Sequence, residues 1–460
     1  MSKTSLTLLI ALACALGLAV LLSAAGQPQP VVATAAITLF TAILWVTEAI
    51  PIPAASLIPF VAFPAFGVIS HGDAATALGN PVIILLMGAF MLSKGLEKSN
   101  VHNRLAVYML HLTGTGNARV MILAFMLTSA VLSMWISNTA TCLMLLPIAL
   151  AILKSNSDTA FKTALLLGIA YASSLGGIGS PVGTPPNVIF MSVYQETFGT
   201  EITFLTWMKT GVPIVIIGIP LMAWWLTRNV VSAGSFSLPQ IGSWQPQEKR
   251  VLTIFALVVV AWIVRPYVSS WLGLSAIGDG TVALAGVAAM FLLPNGQKDM
   301  EGKSTGERLL DWQTTNTIPW GMLLLFAGGI CIAKAFTGSG LSILLGNALS
   351  GLTDLPVWLL ILCICLFVTF VTEITSNTAT ATLLMPILAS AAQANNIEPA
   401  LLMMPAAISA SCAFMLPVAT PANAIVYSTD EFKIKAMVRE GWVLNLMVAG
   451  VATVVIYLTV

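Results

Sequence analysis

Residues 137–141 read Ser137-Asn138-Thr139-Ala140-Thr141, and residues 376–380 read Ser376-Asn377-Thr378-Ala379-Thr380, each followed at the same spacing by a proline, Pro147 and Pro386. The two copies lie 239 residues apart. Outward from them, Met87-Gly88-Ala89 through Lys94 resembles Ala327-Gly328-Gly329 through Lys334, at an offset of 240. Downstream, Pro181-Val182-Gly183-Thr184-Pro185-Pro186-Asn187 resembles Pro417-Val418-Ala419-Thr420-Pro421-Ala422-Asn423, at an offset of 236. Three blocks in one order at a nearly constant offset mark an internal repeat.

The surroundings of these polar blocks are apolar. Of 460 residues, 58% are apolar and 8% are charged, whereas a soluble domain carries about a quarter charged residues. Uncharged stretches long enough for helices of about 20 residues recur along the chain, which is the pattern of a polytopic all-α membrane protein. Crossings are expected at 5–25, 32–50, 53–70, 80–97, 160–196, 206–228, 251–270, 277–294, 317–336, 400–429 and 440–460, eleven in all. Residues 1–25, with Lys3 and the small-residue end Ala24-Ala25-Gly26, suit either a signal peptide or a retained first crossing. Polar linkers are expected at 229–250 and 295–316, and amphipathic arms along the interface at 99–118 and 338–353.

The Ser-Asn-Thr blocks sit at the centres of two segments that are too long for one crossing. Residues 120–153 form a 34-residue uncharged run bounded by Arg119 and Lys154. Basic residues favour the cytoplasmic side, so this run is expected to enter and return as a re-entrant hairpin with its polar tip at mid-membrane. Residues 355–397, flanked by Asp354 and Glu398, are the mirror case. With the N-terminus inside, only Lys209, Arg265 and Lys334 of the 19 basic residues fall outside, a strong positive-inside bias. Five crossings separate the starts of the two copies, and an odd number inverts the second. Inverted repeats whose site lies at the midplane between the copies are typical of secondary transporters.

The chemistry of the blocks fits that role. Proline-broken helices expose carbonyls at one half's C-terminal end and amides at the other half's N-terminal start. Carbonyl, hydroxyl and amide oxygens suit a hard monovalent cation, while free N–H groups and helix N-termini suit a carboxylate. No Lys, Arg or His is expected at mid-membrane, so a bound di-anion requires a co-bound cation to offset its burial. Nucleic-acid, zinc and hydrolase classes find no signature here. A net charge of +1 without a basic run gives no nucleic-acid signature. The six cysteines lie in apolar segments with no CxxC pair, so neither a disulfide framework nor zinc is indicated. The three histidines lie near segment ends and no HExxH exists, which leaves no nucleophile–base pair for an intramembrane hydrolase. A passive channel would be told apart by conductance far above a carrier's turnover.

At these residues the chain resembles the divalent-anion/sodium symporter family, whose bacterial members include the INDY-type dicarboxylate carriers. The resemblance covers nearly the whole chain. It implies a homodimer in the bacterial inner membrane, with scaffold helices and a transport domain that moves as an elevator. The scaffold would take 1–118 and 229–353, and the transport domain 119–228 and 354–460. It implies sodium-coupled import of C4-dicarboxylates such as succinate, malate or fumarate, with two or more sodium ions; the alternatives are a citrate or other di-anion carrier, or an anion exchanger. One sodium site would use Ser133, Ser137, Asn138 and Gly183, and the other Thr372, Thr375, Asn377 and Ala419. Substrate carboxylates would meet Asn138, Thr139, Thr184, Asn377, Thr378, Thr420 and Pro421. Ala422, where such carriers have a second proline, and Thr184, where they often have serine, bear on pocket shape.

Four further expectations concern single residues. Glu373 lies deep in an apolar segment, and the first copy has Met134 in its place; a hydrogen bond inside the hairpin is the expected role, with proton or cation handling as the alternative. Glu48 is expected at the interface, and Lys94 and Lys334 to snorkel there. The tryptophans are expected in interfacial belts.

Overall fold

The computed structural model describes residues 3–113, 117–153, 158–231, 242–272, 277–297, 305–348 and 355–460. Lys154, Lys298, Lys303 and Asp354, the linker stretches 232–241 and 298–304, and residues 114–116 and 349–353 of the two arms lie outside the described residues. The described chain is helical, with a single isolated bridge between Pro294 and Arg308. Before the first hairpin come α1 (Lys3–Ala24), α2 (Gln29–Thr47), α3 (Ile52–Ala55), α4 (Ile58–Ala65), α5 (His71–Leu78), α6 (Pro81–Lys98) and α7 (Val101–Thr113). The first set of repeated elements continues with α8 (Ala118–Ser133), α9 (Asn138–Leu153), α10 (Thr159–Gly176), α11 (Pro185–Phe198) and α12 (Phe204–Thr227). Then follow α13 (Pro246–Leu272), α14 (Asp279–Leu292) and α15 (Trp312–Thr315). The second copy comprises α16 (Trp320–Ser339), α17 (Leu341–Ala348), α18 (Val357–Thr372), α19 (Asn377–Asn395), α20 (Pro399–Ala410), α21 (Pro421–Tyr427) and α22 (Ile434–Thr459).

Among the described residues, eight helices are long and apolar enough to cross a membrane, which makes this a multi-pass membrane protein. Each overlaps one of the eleven expected crossings. The other three, 53–70, 277–294 and 400–429, contain only shorter apolar helices, Ile52–Ala65, Asp279–Leu292 and Pro399–Ala410. The expected crossing at 53–70 is in fact two short helices, α3 and α4. Pro51, Pro53, Pro59 and Pro64 withhold amides from the helical ladder there. At the junction Ser56 Oγ donates to Ile52 O and accepts from the Trp45 indole at 3.0 Å.

The residues expected to turn at mid-segment do so. α8 and α9 are joined by the four residues 134–137, and α18 and α19 by 373–376. Helix α10 is buried without interruption from Ala164 to Gly176 and packs on both α8 and α9. The two copies run antiparallel. Near the start of α10, Lys162 pairs with Glu431, just beyond the end of α21 (2.7 Å). Near the end of α11, the Tyr194 hydroxyl meets Glu398, the residue before α20 (3.3 Å). Start therefore meets end in both pairings.

The tryptophan expectation is corrected in part. Trp45, Trp207 and Trp262 are fully buried, with their indole N–H groups on Ser56 Oγ, Ile178 O and Asp279 O. Each of these three buried indoles thus keeps a hydrogen-bond partner. Trp224, Trp271 and Trp312 are exposed.

Candidate functional site

The tips of the two hairpins share one construction. Ser133, the last residue of α8, donates its hydroxyl to Asn138 Oδ1 at 2.6 Å. Thr372, the last residue of α18, does the same to Asn377 Oδ1 at 2.8 Å and also reaches Ala410 O at 3.0 Å. Each asparagine opens the second arm of its hairpin, so its amide is held across the turn beside the free N–H groups of a helix start. Ser137 Oγ accepts from the Ala140 amide, while Thr375 Oγ1 donates to Val371 O and meets Thr380 Oγ1.

The tips face two broken helices. After Gly176 the chain makes a short 3-10 turn over Gly177–Gly179, loses helical form through 180–184, and restarts at Pro185. In the second copy it is non-helical from Ser411 to Thr420 and restarts at Pro421. Proline suits a first helical position, where no N–H is needed. Gly183 is required by close approach: a Cβ there would lie 2.5 Å from Gly177 O and 2.8 Å from Ser133 O. A Cβ on Gly177 would come within 3.0 Å of Asn138 Oδ1, so hairpin tip and helix break are in direct contact. Thr184 Oγ1 lies 3.2 Å from Ser411 Oγ, which joins the breaks of the two copies.

Glu373 differs from expectation. Its carboxylate accepts not from the hairpin but from the Phe414, Met415 and Leu416 amides, at 2.7, 2.9 and 3.0 Å, and from Asn445 Nδ2 at 2.8 Å. The unwound stretch 411–420 exposes amides that no helix satisfies, and the nearby carboxylate takes them. Met134 leaves the first copy without that brace.

A cavity of about 970 Å³ lies between these elements. Of the thirteen candidate residues, Ser137, Asn138, Thr139, Gly183, Thr184, Thr375, Asn377, Thr378, Ala419, Thr420 and Pro421 line it. Ser133 and Thr372 do not; both are fully buried behind the asparagines they bond. Three helices of 14 residues or more begin at its wall, α9 at Asn138, α11 at Pro185 and α19 at Asn377. Their N-termini give the wall a positive character without a fixed cation. Among the lining residues the one basic side chain is Lys94, paired with Glu97 at 2.6 Å. Glu48, at the end of α2, lines the same mouth. Sequence reasoning missed the walls contributed by Trp45, Trp135, Ile374 and Val418, which nothing in their local pattern distinguishes from core or surface. It also missed Asn187 and Asn423, whose repetition was the available signal.

A family model described as Citrate transporter matches residues 42–401 and 358–460. The chain belongs to this citrate transporter family. Membership makes it a transporter. Within curated sequences it is 38% identical over 449 residues to the sodium-dependent dicarboxylate transporter SdcS of Staphylococcus saprophyticus, covering 92% of this chain and 85% of that one. It is 37% identical over 446 residues to SdcS of Staphylococcus aureus strain USA300, covering 92% and 84%. Its fold is similar to that of the Alcanivorax borkumensis YdaH transporter (TM-score 0.59, 14% identity, 94% of this chain and 98% of that one). The Neisseria gonorrhoeae efflux pump MtrF is also similar (TM-score 0.52, 13% identity, 93% and 94%).

Proposed function

We propose that this member of the citrate transporter family imports C4-dicarboxylates such as succinate, malate or fumarate together with sodium, as a homodimer in the bacterial inner membrane with its N-terminus in the cytoplasm. The observation that carries the reading is the pair of hydroxyl-held asparagines on one cavity that has helix starts in its wall and no basic side chain at its depth. A di-anion there is met by amides and hydroxyls of Asn138, Thr139, Thr184, Asn377, Thr378, Thr420 and Pro421's helix start. Its remaining charge falls to sodium ions, held in one copy by Ser133, Ser137, Asn138 and Gly183, and in the other by Thr372, Thr375, Asn377 and Ala419. Relatives named sodium-dependent dicarboxylate transporters support both cargo and coupling.

The positive-inside bias puts Thr47, Glu48, Lys94, Glu97, Thr317 and Pro319 at cytoplasmic helix ends, and all six line the cavity. The cavity therefore opens inward, which is the release state of an importer. The hairpin arms α8, α9 and α18 have 16 residues each, about 24 Å at helical rise, short of a hydrocarbon core of about 30 Å. That supports re-entrant hairpins riding in a moving transport domain, as an elevator requires. Citrate remains the competing substrate, because the family model carries that name.

The test is uptake of labelled succinate into proteoliposomes, with sodium replaced by choline and with succinate, malate, fumarate, citrate and sulfate as competitors. Uptake should need sodium, and the C4 acids should compete best. Asn138→Ala and Asn377→Ala should each bring uptake to the level of empty liposomes while leaving the purified dimer intact. Near-normal transport by both variants would refute the site.

A further inference from the structure

Asn187 and Asn423 occupy the third position of α11 and α21, directly after each break. Both are fully buried. Asn187 Nδ2 donates backwards over the break to Gly177 O, ten residues earlier, at 3.0 Å, and to Ser180 O, seven earlier, at 2.8 Å. Asn423 Nδ2 repeats the pattern at the same spacings, ten and seven, to Ala413 O at 2.9 Å and Leu416 O at 3.0 Å. In both, Oδ1 is buried with no hydrogen-bond partner among the described residues.

Two carbonyls facing each Nδ2 fix which way the amide points, since the flipped amide would set oxygen against oxygen. Leaving a buried amide oxygen unmatched is unfavourable. The same unfavourable arrangement, built twice in antiparallel copies, indicates that the two donated bonds are what the position serves. Those bonds tie the carbonyl end of the first half-helix to the first turn of the second. Between the ties lie Gly183 in one copy and Ala419 in the other.

We infer that Asn187 and Asn423 are positioning residues that hold the two helix breaks in their cation-binding shape. This rests on the sodium sites proposed above. The copies differ in what else holds the break: the Glu373 carboxylate accepts three amides of the second, whereas the first is tied by single bonds, from the Trp207 indole to Ile178 O and from Ser180 Oγ to Met134 O. Loss of Asn187 therefore weakens sodium binding more than loss of Asn423.

The test measures sodium half-saturation at saturating succinate, and succinate half-saturation at saturating sodium, in proteoliposomes. Asn187→Ala should raise the sodium constant about tenfold, the factor that 1.4 kcal/mol corresponds to. Asn423→Ala should raise it by a smaller factor, and both should keep succinate half-saturation within about twofold of the unmodified protein at saturating sodium. Asn187→Asp, equal in size but an acceptor where a donor is needed, should do worse than Asn187→Ala, an order that packing alone does not give. The sodium-induced rise in thermal stability of detergent-purified protein should shrink in parallel. If Asn187 variants do not fold, Asn423→Ala, whose break keeps Glu373, carries the test. An unchanged sodium constant in the variants that fold overturns the inference. Asn138→Ala, run alongside, separates the two readings: if it transports normally, the site itself is wrong; if it is inactive while the Asn187 and Asn423 variants keep normal sodium dependence, only the positioning role is wrong.

Discussion

At the residue scale, the repeat is not a perfect duplicate, and the differences fall at the breaks. Gly183 corresponds to Ala419, and Gly177 to Ala413. A methyl group at 183 would meet backbone oxygens of Gly177 and Ser133, neither of which can move without distorting a helix end. Overpacking of this kind costs about 1–3 kcal/mol. Gly183→Ala should therefore raise the sodium half-saturation concentration about tenfold, whereas Ala419→Gly should change it little; equal, small effects in a sodium titration of uptake would contradict this account of the first site. Ser137-Asn138-Thr139 was legible because it recurs as Ser376-Asn377-Thr378 in an inverted second copy; a single such string would be accounted for by helix packing. The partners that fix it were not legible. Ser133 and Thr372 took their places from family resemblance, and the donations of Asn187 run backwards across a break whose geometry no periodicity encodes. Trp45, Trp207 and Trp262 show the same limit, since an indole suits a buried hydrogen bond as well as an interface.

At the element scale, the hairpins and broken helices were legible from prolines, from the polar centres and from the charges at their ends. The split of 53–70 into α3 and α4 was not drawn, although Pro53, Pro59 and Pro64 carried the signal. Between elements, Glu373 is the clearest case of a residue whose depth was readable and whose partner was not. Its carboxylate satisfies three amides of the unwound stretch after α20 and fastens that stretch to α22 through Asn445. Removing it leaves three amides without an acceptor, at about 1–3 kcal/mol for each buried group. Glu373→Ala should lower the apparent unfolding midpoint of the detergent-purified protein by several degrees, with Glu373→Gln, which keeps one acceptor oxygen, in between. A Glu373→Ala midpoint equal to the unmodified protein's would mean that water replaces the carboxylate at no cost.

At the scale of the whole molecule, the two copies are clasped to each other at both ends, by Lys162 with Glu431 on one side and Tyr194 with Glu398 on the other. These contacts join α10, α11, α20 and α21 into one body that carries the candidate site. A different contact ties that body to the rest: Lys334 on α16 pairs with Glu196 on α11 at 2.8 Å, at the ends that the positive-inside bias puts outside. In the elevator movement proposed above, with the cavity open at the opposite ends, this pair would favour the inward-open arrangement and would break as the body moved outward. Both side chains are partly exposed, which limits the pair to about 0.5–1 kcal/mol, or roughly a two- to fivefold shift in the ratio of states. With the exposed Cys14 and Cys363 replaced by serine, Thr317→Cys at the cavity mouth should react with an impermeant thiol reagent added from the cytoplasmic side. Lys334→Ala or Glu196→Ala should slow that labelling by up to that two- to fivefold factor, and the charge-swapped pair Lys334→Glu with Glu196→Lys should restore it. Labelling that is indifferent to the single changes would show that the pair does not distinguish the two arrangements, and the bias toward the open cytoplasmic mouth would then have to come from the packing of α11 on α16.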